Sequence, residues 1–271
     1  MAESSRSFGS SLSRAIGLAR HALAERPAGL LTDFDGTLSP IVSDPSLARL
    51  ADGADRALAA LADRIDVVAI ITGRAPLDAR ELTGMSGILI AGNHGMEWLE
   101  PGESEPKAAP GAAAISDRLN EVLGRLPELP GVVPEHKGVS ASVHYRAAPD
   151  PEAARSAIVG ALGEVGDQGL QIGHGRMIVE IRPIGLGDKG TAARTIVERF
   201  RLRGVVVMGD DVTDLDMFRA IGQLRSAGHV RAALIGVGGS AADVLPALVE
   251  ACDVVLADPA DAAALLAALS G

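Results

Sequence analysis

Short runs of β-branched and other apolar residues recur along the chain, and stretches long enough to form helices separate them. Near-continuous apolar runs are typical of strands buried on both faces, and their alternation with helices predicts a parallel sheet covered by helices on each side. The predicted strands are 29–32, 67–71, 87–90, 205–208, 232–235 and 254–256. The predicted helices include 54–62, 190–200, 241–249 and an N-terminal amphipathic helix at 10–25. We therefore expect an α/β fold.

This alternation stops between residues 105 and 184, after a loop at 101–106 that contains proline and glycine. The interval contains two strand-like and two helix-like segments, which are 140–145, 177–181, 111–124 and 151–165. We interpret 105–184 as an inserted α+β domain. The core into which it is inserted then comprises residues 1–104 and 185–271.

The composition bounds the classes of function open to this chain. Its 271 residues are 47% hydrophobic and 22% charged, which provides enough apolar material for a folded core and argues against disorder. With 25 Lys and Arg against 35 Asp and Glu, the formal charge of −10 disfavours nucleic-acid binding. The single cysteine, Cys252, excludes an internal disulfide and a zinc site built from cysteine pairs.

The sequence also bears on targeting and on membrane insertion. The sequence before Pro27 has no uninterrupted apolar stretch of the kind found in secretory signals. No run approaches the roughly 18 apolar residues that a membrane span requires. We therefore expect a cytoplasmic protein without a membrane partner. The sequence leaves the oligomeric state open, and a monomer is compatible with it.

Polar residues stand at the ends of several predicted strands. Asp33 and Asp35 follow the first strand, Thr72-Gly73-Arg74 follow the second, and residues 209–214 (G-D-D-V-T-D) end a later one. Lys189 precedes a predicted helix. Because ligands of parallel α/β sheets bind outside the carboxyl ends of the strands, we expect these side chains to converge on one site.

The chemistry of this convergent set favours one kind of reaction. Carboxylates that meet at one point repel one another at pH 7 unless a cation neutralises them, and ligands made only of oxygen favour Mg²⁺. A divalent cation, an attacking carboxylate, a hydroxyl and an ammonium group are the components of phosphoryl transfer. The sequence therefore favours Mg²⁺-dependent phosphoryl transfer through an aspartyl-phosphate.

Residues 33–38 read D-F-D-G-T-L and resemble the first motif, D-x-D-G-T-L, of the haloacid-dehalogenase (HAD) superfamily of phosphohydrolases. The other three motifs of the superfamily follow in order, at Thr72, Lys189 and 209–214. The resemblance implies a Rossmann-like parallel-sheet HAD core with an inserted α+β cap domain. It also implies a hydrolase that acts on phosphoric monoesters.

The resemblance further implies a role for each motif residue. Asp33 is the implied nucleophile, and Asp35 is implied to protonate the leaving sugar oxygen and then to activate water. Thr72 and Lys189 are implied to hold the phosphoryl oxygens. The residues implied to bind Mg²⁺, directly or from just behind the coordination shell, are Asp33, Asp35 through its main-chain carbonyl, Asp210, Asp211 and Asp214.

The inserted domain narrows the resemblance to one family. Residues 135–140, 144–146 and 180–183 resemble trehalose-6-phosphate phosphatases, and so does G-N-H-G-M-E at 92–97. The partner that this resemblance implies is a small sugar phosphate, trehalose 6-phosphate. The implied substrate-binding residues are Gly36, Thr37, Gly73, Arg74, His94, Gly95, Glu135, Lys137, Ser140, His144, Arg146, Glu180 and Arg182.

The residues by themselves leave structural roles open. A D-x-D-G segment is also common in turns and helix caps, and Asp210 with Asp211 suits the cap of a following helix. Lys189 has the alternative of a solvated surface lysine. Single histidines such as His94 and His144 are often structural, and the charged residues of the insert suit a surface of salt bridges.

Two other functions stay open as well. One is a related phosphatase that acts on another disaccharide-like or polyol phosphate, of the sucrose-phosphate or mannosylglycerate-phosphate type. The other is a non-catalytic protein that binds sugar phosphates. The presence of Asp33, Asp35, Lys189 and Asp210 argues against the second of these.

Overall fold

The computed structural model describes residues 2–109, 112–136, 138–163, 165–175, 177–184, 188–238 and 246–271. Two compact units make up the chain: the first comprises Met1–Pro106 and Asp188–Gly271, and the second Lys107–Gly187.

The secondary structure consists of the following elements in chain order. The strands are β1 (Ala28–Thr32), β2 (Val67–Ile71), β3 (Leu89–Gly92), β4 (Glu97–Leu99), β5 (Lys107–Ala108), β6 (Val133–His136), β7 (Ala141–His144), β8 (Leu170–Gly175), β9 (Ile178–Pro183), β10 (Gly204–Gly209), β11 (Arg231–Val237) and β12 (Val254–Leu256). The helices are α1 (Ala2–Leu23), α2 (Ala54–Ala62), α3 (Pro76–Thr83), α4 (Ala112–Leu123), α5 (Pro151–Leu162), α6 (Lys189–Arg199), α7 (Asp214–Ser226), α8 (Pro246–Ala251) and α9 (Pro259–Ser270).

The first unit contains a mostly parallel sheet with β1 near its centre. Its strand order is β12-β11-β10-β1-β2-β3-β4, and only β4 runs antiparallel to its neighbour β3. Leu30 of β1 pairs with Val206 on one side and with Val68 on the other. The expected α/β fold is confirmed. The carboxyl ends of β1, β2 and β10 therefore lie side by side at one edge of the sheet.

Apolar side chains cover both faces of this sheet, as its continuous hydrophobic runs predict. Leu30 and its neighbours pack in one cluster with Leu58 of α2 and Leu265 of α9. Leu31 points into the opposite cluster, together with Ile196 of α6 and Phe218 of α7. The strands at the centre of the sheet therefore have no solvated face, which fixes their register and the positions of the loops that leave them.

The N-terminal helix α1 is part of the first cluster. Its residues Ala15, Ala19 and Ala22 are each at most 1% exposed. The backbone of β10 lies so close to the helix that a Cβ on Gly204 would stand 2.1 Å from the carbonyl oxygen of Ala22. Small residues on both elements therefore permit a close approach of helix to sheet.

The second unit contains an antiparallel sheet in the order β6-β7-β9-β8. Burial alternates along β9, where Val179 and Ile181 are buried and Glu180 and Arg182 are half-buried. The buried side of the sheet packs in one cluster with residues of α4 and α5, such as Leu119 and Ile158. The polar residues of β7 and β9 lie on the other side of this sheet.

Some elements differ from the sequence-based expectation. The second half of the expected helix 241–249 belongs to α8, and residues 241–245 lie outside the described part of the chain. The expected strand 87–90 begins two residues later, as β3. Sequence patterns did not predict β6 or β8, because β6 is exposed throughout and two of the six residues of β8 are glycines. Among the described residues, none of the helices is both long and apolar enough to span a membrane.

Candidate active site

The loop after β1 makes a tight turn that begins at Asp33. The N–H of Asp33 donates to the carbonyl oxygen of Met208 at 3.0 Å, which extends the pairing of β1 with β10 by one residue. Gly36 has a φ of 79°. Its N–H donates to the carbonyl of Ser39 at 2.8 Å and closes the turn. A glycine is favoured here because side chains rarely tolerate this left-handed backbone.

Lys189 joins two carboxylates in the interior of the first unit. Its Nζ lies 2.8 Å from Oδ1 of Asp33 and 2.8 Å from Oδ1 of Asp214. All three residues are buried, with at most 4% of their surface exposed. Lys189 is the first residue of α6, whose N-terminus the Asp188 side chain caps by accepting the N–H of Thr191. The cap thus fixes the point from which the ammonium group reaches the two aspartates.

Asp214 organises the loop that follows β10. Its Oδ2 accepts the backbone N–H groups of Asp210 at 2.8 Å and of Asp211 at 3.1 Å. A Cβ on Gly209 would lie 2.5 Å from the Cβ of Asp214, so a glycine is needed at the start of this loop. Because its other oxygen contacts Lys189, Asp214 supports the loop with both carboxylate oxygens.

Asp210 faces the loop after β1. Its Oδ1 accepts the hydroxyl of Thr37 at 3.0 Å. A Cβ on Gly36 would stand only 2.0 Å from Oδ2 of Asp210. The glycine and the threonine of the D-x-D-G-T segment therefore shape the place that the Asp210 carboxylate occupies.

Three carboxylates meet at this point. Asp33, Asp210 and Asp214 each bring an oxygen to within 4.8 Å of the other two. Asp211 adds negative charge nearby, and Lys189 is the cation that contacts the set. Donor groups made only of oxygen, with a surplus of negative charge, suit a hard divalent ion such as Mg²⁺. The residues present thus fit the metal that the sequence predicts.

The electrostatics of the carboxylates agree with this fit. Burial raises the pKa of Asp33 well above its ordinary value, against the opposing charge of Lys189. Burial, together with the charges of Asp214 and Asp211, raises the pKa of Asp210 to about 7. Burial opposes the charge of Lys189 as well, but the carboxylates of Asp214 and Asp33 raise its pKa above the ordinary value. The ammonium group of Lys189 therefore stays charged, but its single positive charge does not balance the negative charges of the buried carboxylates. A bound cation would supply the missing positive charge.

Asp211 plays a different part from its neighbour. Its Oδ1 accepts the N–H of Thr213 at 2.8 Å, the Thr213 hydroxyl at 2.7 Å and the N–H of Asp214 at 3.1 Å. Burial works against its ionisation, but the charge of Lys189 and the hydrogen bonds from Thr213 lower its pKa. The Asp211 carboxylate therefore caps the turn that leads into α7.

The loop after β2 contributes Thr72 and Arg74 to the same edge of the sheet. Thr72 is buried, and its Oγ1 accepts the N–H of Arg74 at 3.2 Å. The Arg74 guanidinium donates two hydrogen bonds to Asp35, from Nε to Oδ2 at 2.6 Å and from Nη2 to Oδ1 at 2.6 Å. Sequence patterns did not indicate this pairing of Arg74 with Asp35.

His94 and its neighbours follow β3 at this edge. The N–H of His94 donates to the carbonyl of Thr72 at 2.8 Å, and its backbone is left-handed with a φ of 57°. A Cβ on Gly73 would lie 2.9 Å from the His94 ring. Gly95 has a φ of 94°, and a Cβ there would lie 2.6 Å from the Cβ of Ala192 in α6. The absence of side chains at Gly73 and Gly95 thus permits the close packing of the loop that contains His94.

In the second unit, two of the predicted sugar-binding carboxylates occupy one row of the sheet. Glu135 of β6 pairs with Ser142 of β7, and Ser142 pairs with Glu180 of β9. Oε2 of Glu135 lies 2.9 Å from Nε2 of His144, and Oε2 of Glu180 accepts from Arg182 at 2.7 Å. The sequence analysis missed Ser142, which the alternation along β7 places between the two glutamates.

The remaining residues predicted in the second unit are less closely associated with this row. Ser140 is buried just before β7, and Arg146 is exposed just after it. Lys137 lies outside the described residues.

Comparisons with known proteins find related sequences. A family model described as trehalose-phosphatase matches residues 31–241. The trehalose-phosphate phosphatase of Mycobacterium avium is 40% identical over 211 residues, which cover 73% of this chain and 52% of that protein. That of Mycobacterium tuberculosis is 37% identical over 221 residues, which cover 77% of this chain and 55% of that protein. The chain thus spans about half the length of the curated relatives it matches.

Solved structures show the same fold. The C-terminal domain of the Candida albicans trehalose-6-phosphate phosphatase has a TM-score of 0.74 and 22% identity, and the match covers 95% of this chain and 97% of that one. The Aspergillus fumigatus trehalose-6-phosphate phosphatase has a TM-score of 0.65 and 25% identity, with 94% and 97% covered.

Proposed function

The chain belongs to the trehalose-phosphatase family, and we propose that it hydrolyses trehalose 6-phosphate to trehalose and inorganic phosphate. The observation that carries the proposal is the buried contact of Lys189 with Asp33 and Asp214 at the carboxyl end of β1. This contact combines the carboxylate that we assign as nucleophile with a fixed ammonium group in the buried interior of the first unit. Preorganised charges in such a place act strongly on a transferring phosphoryl group.

In the first step, an oxygen of Asp33 bonds to phosphorus while the bond between phosphorus and the sugar oxygen breaks. Asp35 gives its proton to that oxygen, so trehalose leaves as a neutral alcohol. Asp33 then carries the phosphoryl group as an acyl phosphate. The half-exposed carboxyl of Asp35 and the buried carboxyl of Asp33 suit this division of roles.

In the second step, Asp35 takes a proton from water, and the water oxygen bonds to phosphorus. The bond between phosphorus and Asp33 breaks, inorganic phosphate leaves, and both carboxyl groups return to their starting protonation states. Lys189 and Thr72 hold phosphoryl oxygens in both steps.

Asp33, Asp210 and the main-chain carbonyl of Asp35 are the groups we assign to Mg²⁺. Bound there, Mg²⁺ offsets the negative charge of the phosphoryl group and of the carboxylate that approaches it. We assign Asp214 and Asp211 to positions behind the ion, since Asp214 supports Lys189 and two backbone N–H groups, and Asp211 caps α7.

Substrate choice belongs to the second unit in this proposal. The core motifs act on phosphate and metal, which all sugar phosphates share, so other residues must distinguish the sugar. We assign this role to Glu135 and Glu180, which lie on the polar side of the β6-β7-β9-β8 sheet, and to Lys137, all as hydrogen-bonding groups. Charged groups form strong and directional hydrogen bonds to hydroxyls.

A substrate panel with a phosphate-release readout tests this function. Trehalose 6-phosphate should give the highest kcat/KM, with sucrose 6-phosphate, glucose 6-phosphate and mannosylglycerate phosphate well below it. Removal of divalent ions with EDTA should abolish release, and Mg²⁺ should restore it. Release from none of the esters would favour a sugar-phosphate binding protein. Preference for a different ester would instead move the chain to another substrate.

A further inference from the structure

Arg74 holds Asp35 by both of its carboxylate oxygens. The two bonds, from Nε and Nη2, are each 2.6 Å long. The Arg74 side chain is 15% exposed, whereas that of Asp35 is 40% exposed. The paired carboxylate therefore stays open to a ligand, although a bidentate partner sets its orientation.

Arg74 is itself fixed on several sides. Its guanidinium carbon lies 5.4 Å from the centre of the Phe34 ring, and Phe34 is fully buried. Its N–H donates to Oγ1 of Thr72 at 3.2 Å, and its carbonyl accepts the N–H of Asn93 at 2.8 Å. An arginine anchored in this way is a rigid reference for whatever it contacts.

We propose that Arg74 is a positioning residue that acts on the reaction through Asp35. The inference rests on the proposed function, in which Asp35 exchanges a proton with the sugar oxygen and with water. Proton transfer requires the two heavy atoms to lie within about 3 Å of each other. Arg74 confines Asp35 to one orientation, because a planar guanidinium matches a carboxylate in both of its contacts.

The proposed first step requires Asp35 to carry a proton while it remains paired with Arg74. A neutral carboxyl group has one hydroxyl and one carbonyl oxygen, so it accepts from the guanidinium through one oxygen and presents its proton on the other. One of the two bonds from Arg74 therefore opens when Asp35 carries a proton. The remaining hydrogen bond from Arg74 keeps the Asp35 carboxyl group in its orientation.

This role predicts a dependence on the leaving group. A sugar alkoxide is a poor leaving group and needs the proton of Asp35, whereas p-nitrophenolate leaves without one. The parameter kcat/KM covers only the steps up to formation of the phosphoenzyme, so the later use of Asp35 as a base does not enter it. An arginine that only bound phosphate, or only supported the fold, would affect both esters alike.

The experiment is a double-mutant cycle with Arg74→Ala, Asp35→Asn and the double variant, measured on trehalose 6-phosphate and on p-nitrophenyl phosphate. Arg74→Ala should lower kcat/KM for the sugar phosphate by about 10²-fold, the scale of a 1 Å misplacement, and lower that for the aryl ester by less than about 10-fold. In the Asp35→Asn background, Arg74→Ala should change either value by less than about 3-fold, because residues that act as a unit are not additive.

Three further measurements complete the test. Arg74→Lys keeps the positive charge but loses the planar guanidinium that makes two hydrogen bonds to Asp35, so its kcat/KM values should resemble those of Arg74→Ala. If Arg74→Ala does not fold, Arg74→Lys replaces it in the cycle. Added guanidinium ion should restore part of the lost sugar-phosphate activity of Arg74→Ala. Arg219→Ala removes an exposed arginine that lies 3.4 Å from Asp216 and should match the wild type on both esters.

An equal loss on both esters, or additive effects of the two substitutions, would overturn the inference while leaving the proposed function intact. A wild-type chain that hydrolyses neither ester would overturn the proposed function and the inference with it.

Discussion

Gly36 and Asp210 touch so closely that a Cβ on the glycine would stand 2.0 Å from a carboxylate oxygen of the aspartate. The two residues lie on loops that follow different strands, β1 and β10. Their contact brings the Asp210 carboxylate next to that of Asp33. The glycine of the D-x-D-G segment thus makes room for Asp210, the metal ligand that we propose from another loop, in addition to closing its own turn.

Gly36→Ala should therefore weaken Mg²⁺ binding, because the added methyl group must displace Asp210. We expect at least a 10-fold loss of affinity, roughly the effect of disturbing the surroundings of a ligand. Titration calorimetry with Mg²⁺ measures it. Gly102→Ala is the matched control, since Gly102 has a φ of 78° and a Cβ there would meet no described atom within 4 Å. Both variants carry the backbone cost of about 1–2 kcal/mol, so equal Mg²⁺ affinities would contradict the prediction.

Asp33→Asn and Asp214→Asn should separate catalysis from stability. Burial makes the ionised form of Asp33 unfavourable, so its neutral analogue should abolish turnover and leave the thermal midpoint in EDTA unchanged or higher. Asp214→Asn removes a carboxylate that accepts from Lys189 and two backbone N–H groups. An asparagine at 214 has only one acceptor oxygen, so at least one of these buried donors loses its partner, at a cost of about 1–3 kcal/mol. Equal midpoints for the two variants would show that Asp214 has no special structural role.

The raised pKa of Asp210 predicts a distinctive dependence of stability and Mg²⁺ affinity on pH. Without metal, Asp210 has a pKa of about 7 in the folded chain, and an ordinary value of 3.8 applies when it is unfolded. Between these values the folded state binds more protons, so the contribution of Asp210 to stability falls as pH rises from about 4 to 7. Mg²⁺ competes with the same proton, and its apparent affinity should rise over the upper part of this range.

Thermal unfolding in EDTA and Mg²⁺ titration across pH 5–8 measure the two effects. The Asp210→Asn variant is the reference protein for both measurements, because it keeps all the other titrating groups, including the histidines. The difference between wild type and Asp210→Asn isolates the Asp210 contribution. A wild-type stability curve that rises with pH relative to the variant would contradict the assigned shift.

The close approach of α1 to β10 predicts opposite effects for two glycine substitutions. Gly204→Ala would place its Cβ 2.1 Å from the carbonyl oxygen of Ala22, a backbone atom that cannot yield alone. Overpacking of this kind costs about 1–3 kcal/mol or more. In Gly17→Ala, the new methyl group meets no described atom within 4 Å on an exposed turn of α1, and it should stabilise by up to about 1 kcal/mol. Urea unfolding measures both, and a neutral Gly204→Ala would argue against the packing of the helix.

The sugar-binding role that we propose for the second unit predicts different effects on a sugar phosphate and on an aryl phosphate. Glu135→Ala or Glu180→Ala should lower kcat/KM for trehalose 6-phosphate by about 10- to 200-fold, the value of a charged hydrogen bond of about 1.5–3 kcal/mol. Hydrolysis of p-nitrophenyl phosphate should change little. Glu121→Ala, which removes an exposed salt bridge between α4 and Arg125 just beyond its end, should leave kcat/KM for both substrates unchanged. An equal fall on both substrates would assign the two glutamates to the fold.

Sequence reasoning reached the core of the fold because its signals are local. Strands such as β2 and β10 are continuous apolar runs, and α2 has the residues predicted for it. β6 was not predicted, because all of its residues are exposed and burial therefore imposes no hydrophobic pattern on its sequence. The helix over residues 246–251 is short, and its predicted start lies outside the described residues.

The candidate site shows the same division between local and long-range information. The strand-end position of Asp33 and the motif around it predicted that carboxylates would converge there, and Asp210 and Asp214 do lie beside Asp33. The sequence could not indicate which oxygens of Asp214 face Lys189 and the loop. The pairing of Arg74 with Asp35 was equally hidden, because it joins residues 39 positions apart through side-chain geometry alone.

The central position of β1 has a consequence for how the chain folds during synthesis. Its residues pair with β2 within the first part of the chain, but its other neighbour is β10. Ala28 therefore cannot pair with Gly204 until the residues between them have been synthesised. At about 5–20 residues per second on the ribosome, that interval lasts roughly 10–35 s. The second unit, whose strands β6 to β9 pair among themselves, is complete before β10 emerges. Through this interval the β10-facing edge of β1 lacks its partner, and a nascent chain needs protection there from pairing with a neighbour.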